Sequence, residues 1–295
     1  MNHVEHKTSD IELGHELNIR ELRQDDWAFI RSCDEILNWG FSNDGEQFLF
    51  STRHSAFIAE IHQNPVGMVF GYRWGRNVGW IGLLVVNQEF RCQGIGRTLL
   101  SKQVQELRQA GCVTIGLDSV PEIRQFYASE GFIRDQKSLR LAICRVEGTP
   151  QGYVKTATKD DLPEICLFDQ QATGLDRSQL LRSMLRCFPG SILIYLSDRR
   201  IEGYMGFRDH SDSVQIGPWI STSPQMAGNM LKYYFHHLHP AKKTIKVGAL
   251  EKGITVECLK TLGFEEVAFS FRMYWGVPLQ TSIDFFTCIG DPAKG

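Results

Sequence analysis

The chain has 295 residues, 42% hydrophobic and 22% charged, with a net charge of −2. That is the mix of a folded globular protein long enough for two domains, each with its own core. It argues against a broad nucleic-acid footprint, which needs a basic surface, and no apolar run approaches the ~18–20 residues that span a bilayer.

Met1 to Leu17 is polar, carries His3, His6 and His15, and lacks the apolar stretch of a secretory signal. It is expected to be a flexible lead-in to a cytoplasmic protein. Asn18 to Trp27 predicts a strand, a polar turn, then a helix capped near Asp25-Asp26. Ser55 to Ile61 alternates as a strand, turns at Asn64-Pro65 and returns from Val66. Trp80 to Val86 is a short, nearly continuous apolar run, the pattern of a buried central strand. After a turn at Asn87 to Gly96, a helix is predicted from about Ile95 to Ala110. Leu99, Leu100, Val104 and Leu107 share one face, and Gly111 stops it. Thr114 to Asp118 predicts the next strand, and Pro121 to Phe132 a further helix.

The pattern then repeats. Asp25-Asp26 returns as Asp160-Asp161, Gly67 as Gly203, Gly82 as Gly217 and Gly131-Phe132 as Gly263-Phe264, at offsets between 132 and 136. A steady whole-domain offset indicates a duplicated domain. The boundary falls at Glu147 to Gly152, where Gly and Pro cluster. The expected organisation is a lead-in at 1–17, a first domain at 18–148 and a second at 153–295. Each is an α/β (α+β) layer arrangement, with helices on both faces of a mixed central sheet.

Eight cysteines are scattered without a C-x-x-C pair and read as reduced, buried thiols. His236, His237 and His239 cannot share one helix face and have no ligand-spaced partners, so no metal is expected. Lys242-Lys243 is too short a run to indicate nucleic acid.

The chemistry concentrates after the central strand, at Arg91-Cys92-Gln93-Gly94-Ile95-Gly96. Glycines without Cβ let an anion approach the backbone. Unpaired N–H groups at a helix start, the helix dipole and the charges of Arg91 and Arg97 together make a pyrophosphate cradle. The turn is neither a complete G-x-G-x-x-G, since position 99 is Leu, nor a P-loop. In the second half the same place reads Ser221 to Asn229, without the glycine pattern and without Arg or Lys until Lys232.

Arg91 to Gly96 resembles the R/Q-x-x-G-x-G/A signature of the GNAT N-acetyltransferases, and Tyr127 to Phe132 resembles that family's Tyr-x-x-x-Gly-Phe ending. The whole chain is similar to tandem GNAT proteins with a degenerate second copy. The resemblance implies acetyl-CoA as co-substrate and direct attack by a primary amine of a small molecule or peptide. It implies pyrophosphate contacts from Arg91, Cys92, Gln93, Gly94, Ile95 and Gly96, extended by Arg97 and Thr98. Leu84, Val85 and Val86 would pair with the pantetheine amides, and a backbone N–H there would polarise the acetyl carbonyl. Tyr127 would be the general acid.

The central strand lacks the carboxylate that many members use as base, so Asp118 is the candidate, with Glu60 and Asp44 behind it. Trp39, Phe41 and Asp44 would line the acceptor site; an ordinary turn with its aromatics folded inward fits those residues as well. A different acyl-CoA donor, or a non-catalytic acyl-CoA-binding module, remain alternatives. The expected partners are an amine acceptor and, at most, a second copy, as monomer or homodimer, with no nucleic acid and no membrane.

Overall fold

Each half begins with the same electrostatic device. In the first, strand β1 (Leu17–Glu21) leads into helix α1 (Trp27–Leu37), and Asp26 accepts from the Arg23 N–H and from both Arg20 terminal nitrogens, each at 2.7 Å. In the second, strand β7 (Tyr153–Thr156) leads into α5 (Leu162–Thr173), and Asp161 accepts from the Thr158 N–H and from Lys155 Nζ, each at 2.8 Å. A carboxylate at a helix start satisfies orphan N–H groups and meets the positive end of the dipole.

The computed structural model describes residues 17–37, 43–210, 212–239, 243–279, 285–290 and 294. The first half continues with α2 (Asn43–Thr52), β2 (Ser55–Ile61), β3 (Asn64–Trp74), β4 (Val78–Val86), α3 (Ile95–Gln109), β5 (Thr114–Ser119), α4 (Arg124–Ser129) and β6 (Ile133–Ile143). The second continues with α6 (Ser178–Cys187), β8 (Ile192–Ser197), β9 (Arg200–Asp209), β10 (Ser213–Ser221), α7 (Pro224–His237), β11 (Thr244–Leu250), α8 (Thr255–Thr261) and β12 (Glu265–Gly276). It then adds β13 (Phe286–Ile289).

The first hairpin turns two residues earlier than its Asn-Pro pair suggests. His62 and Gln63 make the turn at φ 50° and 64°, and Asp198 and Arg199 do the same at 49° and 64°. Two left-handed residues match the twist of the flanking strands. Pro65 therefore sits inside β3, opposite Glu60 and beside a register shift that accommodates its missing N–H.

The thirteen strands form one sheet in the order β1-β2-β3-β4-β5-β12-β6-β11-β13-β10-β9-β8-β7. The two halves exchange their sixth strands. β12, from the second half, pairs with β5 from Phe271↔Ser119 to Gly276↔Thr114, and β6, from the first, pairs with β11. β6 and β12 then pair with each other at the centre, Ser138 opposite Ser270. The exchange welds two sequence units into one body.

The helices follow the same symmetry. On one face α1, α2, α5 and α6 share a single core that includes Ile30, Phe48, Trp74, Trp80, Phe168, Leu181, Tyr204 and Tyr274. On the other face α3 and α4 cover Ile81, Leu117 and Met273, while α7 and α8 cover Leu141, Val247 and Trp219. Among the described residues no helix is long and apolar enough to cross a membrane.

Candidate active site

β4 and β5 are parallel and pair only from Val78↔Thr114 to Trp80↔Gly116. The Trp80 ring lies over Gly116, where an added Cβ would collide with it. Beyond that wedge the strands part. On its other edge β4 carries a one-residue register shift against β3, between Phe70↔Gly82 and Met68↔Val85, and Leu83 takes φ 52° to make it. A bulky residue in the left-handed region is held there by its surroundings and is a feature of functional sites. The bulge turns Leu84, Val85 and Val86 away from β5, and among the described residues no strand pairs with that edge.

The opening is a cleft of about 790 Å³. It passes through the sheet. Leu37 at the end of α1 and Asp118 line it, and Arg91, Cys92, Gly94, Gly96 and Arg97 at the start of α3, on the other face, line it too. Leu83 and Val85 pack into the α1 core, while Leu84 and Val86 pack into the α3 core.

The start of α3 is left open. Gly94 is the N-cap at φ 81°, and no side chain caps the helix. Nothing lies within 4 Å of where a Gly94 Cβ would be, so glycine is required there by the backbone and not by space. Cys92, exposed, also takes a positive φ, 62°. Arg91 Nε donates to the Val86 carbonyl at 3.1 Å, tying the turn to the end of β4. Arg97 Nε reaches Glu130 at 2.6 Å with its side chain 64% exposed, a pairing that solvent screens and a ligand can exchange.

Three residues of the motif point elsewhere. The Gln93 side chain donates to the Glu89 carbonyl, Thr98 Oγ1 to the Gly94 carbonyl, and Ile95 is buried in the α3 core. Their backbone positions still belong to the turn.

Tyr127 lines the cleft from α4, edge-on to Phe126 and Phe132 at 5.0 and 6.0 Å. Burial pushes its phenol well above the usual tyrosine value. Among the described residues its hydroxyl has no hydrogen-bond partner. A phenol so placed keeps its proton across the neutral range and can give it up only to a strong base formed beside it.

Asp118 also lines the cleft, but its carboxylate is engaged. Arg272 from β12 donates to both oxygens, Nε at 3.0 Å and Nη2 at 3.1 Å, and Arg140 Nη2 stands 3.7 Å away. The Arg272 guanidinium lies 4.5 Å over the Trp80 ring. The aspartate side chain is fully buried. Glu60 is bound to Arg20 on β1 and does not line the cleft, and Asp44 is exposed in the first turn of α2. Trp39 and Phe41 lie outside the described residues.

Sequence reasoning missed Arg272 and the rim residues Leu37, Val120, Ile123 and Phe126. Arg272 could have been found by the 132-residue offset, which makes it the counterpart of Arg140. What it binds is decided by the strand exchange.

A model of the acetyltransferase (GNAT) family matches residues 17–132, and a second acetyltransferase (GNAT) domain model matches 165–284. The chain belongs to the GNAT family. This tandem GNAT chain is 24% identical over 256 residues to holothin acyltransferase of a Pseudoalteromonas strain, covering 85% of each. It is 35% identical over 69 residues to a glucosamine 6-phosphate N-acetyltransferase of Trypanosoma brucei brucei, covering 23% of this chain and 47% of that one. A Pyrococcus horikoshii protein solved as a candidate acetyltransferase superposes over 100% of both chains at a TM-score of 0.79 and 20% identity. A tandem GNAT protein from the clavulanic acid biosynthesis pathway, solved without AcCoA, superposes over 90% of this chain and 100% of its own at 0.64 and 14%. At these identities the two structures speak to the fold. The family assignment and the acyltransferase relative make this GNAT chain an N-acyltransferase.

Proposed function

We propose that the chain transfers an acetyl group from acetyl-CoA to a primary amine, at the cleft of the first half. The observation that carries this reading is a conjunction. An uncapped helix start opening on a left-handed glycine, the edge of Leu84 to Val86 and the hydroxyl of Tyr127, both without a partner among the described residues, all face one through-sheet cleft.

The N–H groups from Cys92 to Arg97 suit the pyrophosphate, with Arg91 and Arg97 adding charge. The edge of Leu84 to Val86 suits the pantetheine amides as an added strand. An N–H on that edge suits the acetyl oxygen as it gains charge. The acceptor nitrogen attacks the thioester carbon, so a C–N bond forms and, on collapse, the C–S bond breaks. The Tyr127 phenol protonates the departing thiolate, and the new amide nitrogen releases its extra proton to water.

Asp118, whose oxygens are both held by Arg272, is assigned a positioning role at the inner wall in place of proton abstraction. The two GNAT models and the acyltransferase relative support the reaction class.

Isothermal titration of the full chain with acetyl-CoA tests the reading, beside an Arg91→Glu/Gly94→Asp double variant. One equivalent bound, and binding lost in the variant, is the expected result. Two equivalents would place a second site in the other half. No binding by the unaltered chain would overturn the proposal.

A further inference from the structure

The two ends of the cleft differ in chemistry. The end at α3 is built for an anion. The lining also carries large apolar side chains that stand exposed, Leu37 at the end of α1 at 41%, and Val120 and Ile123 between β5 and α4 at 49% and 43%. Leu83 and Val85 continue the apolar wall inward on the same side. Exposed apolar residues gathered on one opening mark a ligand-binding surface more often than chance exposure does.

The polar group behind this rim is Asp118, and it faces two guanidinium groups. Arg272 from β12 binds it bidentately and Arg140 from β6 stands at 3.7 Å. The Tyr274 ring flanks the same group, next to Trp80. Farther along, Asp135 is taken by Lys252 at 2.8 Å. Glu122 and Arg124 on the turn and on α4, and Asp34 and Glu35 on α1, lie outside the cleft lining. Neither arginine lines the cleft itself, but between them they engage the Asp118 carboxylate, the one carboxylate among the described lining residues.

An amine attacks only as the free base. At pH 7 an alkylamine with a lysine-like pKa of ~10 is neutral in about one molecule in a thousand. An apolar rim and a carboxylate already bound to arginine both work against such an acceptor. An amine on an aromatic ring suits the site on both counts, because its nitrogen lone pair is delocalised, it arrives neutral, and its flat body is apolar.

We infer that the acceptor is an aromatic or heteroaromatic amine, neutral at pH 7, whose ring packs on the Leu37–Val120–Ile123 rim. This rests on the acetyl-transfer reading and adds the acceptor class. Among the described lining residues the carboxylate that an alkylammonium would need is Asp118, already held by Arg272, and the cations that a sugar phosphate would need, Arg91 and Arg97, stand at the α3 end.

The test uses the full chain at saturating acetyl-CoA, with release of free CoA as the readout. Aniline and benzylamine present the same ring with a neutral and a cationic amine, and glucosamine 6-phosphate presents the anionic sugar class. At pH 7, kcat/KM for aniline is expected to exceed that for benzylamine by about tenfold or more, and to stay flat from about pH 6 to 8. The benzylamine value should rise about tenfold per pH unit, following its own deprotonation. Val120→Asp should move the ratio about tenfold toward benzylamine.

Preference at pH 7 for benzylamine or glucosamine 6-phosphate overturns the inference. So does acetyl-CoA binding with no transfer to aniline or to any of a panel of substituted anilines. Failure to bind acetyl-CoA at all strikes the acetyl-transfer reading instead, so the two failures are told apart by calorimetry.

Discussion

Two copies of one fold share a sheet in this protein, and they differ at the place where each fourth strand leaves the fifth. In the first copy β4 and β5 part beyond Trp80 and the gap is the cleft. In the second, β10 and β11 pair in parallel from Ser213↔Thr244 to Ile216↔Val247 and then part in the same way, but β13 fills the gap. It pairs with Trp219, Ile220 and Ser221 on one side and with Gly248 and Ala249 on the other.

At the repeat offset of 135, Trp219 to Ser221 are the counterparts of Leu84 to Val86. The second copy's own chain therefore takes the strand edge that, among the described residues, the first copy leaves free. The helix start differs in the same sense. α3 is uncapped, whereas α7 begins with Pro224, which has no N–H, and Ser223 Oγ accepts from the Met226 N–H at 3.3 Å. The bulge that Leu83 makes is made in the second copy at Gly217-Pro218, again without an N–H to offer. Buried Leu259 stands where Tyr127 does. In the second copy the described residues thus satisfy internally the groups that those of the first copy leave available.

Five substitutions sharpen or break that comparison, the last of them a control. The largest effect on turnover is expected from Tyr127→Phe, which should lower kcat by about 10²–10⁴ while acetyl-CoA still binds. An unchanged kcat would make the two copies equivalent at this position. Because burial raises the phenol, it stays protonated below about pH 10, and no alkaline fall in kcat should arise from it in that range.

Asp118→Ala should cost about 3–5 kcal/mol of stability by leaving Arg272 buried without its partner. Denaturant titration would show it, and full stability with lost turnover would return Asp118 to a role as base.

Phe286 is fully buried on β13, its ring 4.7 Å from that of Trp219. Phe286→Ala should cost about 3–4 kcal/mol and leave acetyl-CoA stoichiometry at one. A second equivalent in this variant would mean that β13 alone closes the second copy. The smallest effect is expected from Gly94→Ala, which forces an L-residue into φ 81° at about 1–2 kcal/mol. It should weaken acetyl-CoA about tenfold, whereas Gly174→Ala, also at positive φ but outside the cleft, should affect stability alone.

The GNAT fold, its duplication and the turn from Arg91 to Gly96 were legible in the sequence, because each depends on contiguous residues. Alternation marks a strand, glycine marks the turn, and the 135-residue offset marks the second copy. The same locality made the loss of Tyr127 and of the glycines in the second half readable.

Three features were decided only in the tertiary structure. β6 and β12 hold equivalent places in the two halves, and that each pairs across to the other half, β6 with β11 and β12 with β5, is visible only in the strand order. Asp118 looked available as a base because Arg272 lies 154 residues away, and only the exchanged strand brings them together. The residues from 286 to 289 are too short and too ordinary a run to announce that they fill a gap between two strands. A gap is a property of what surrounds it, and its filling is recorded in no residue of the segment that fills it.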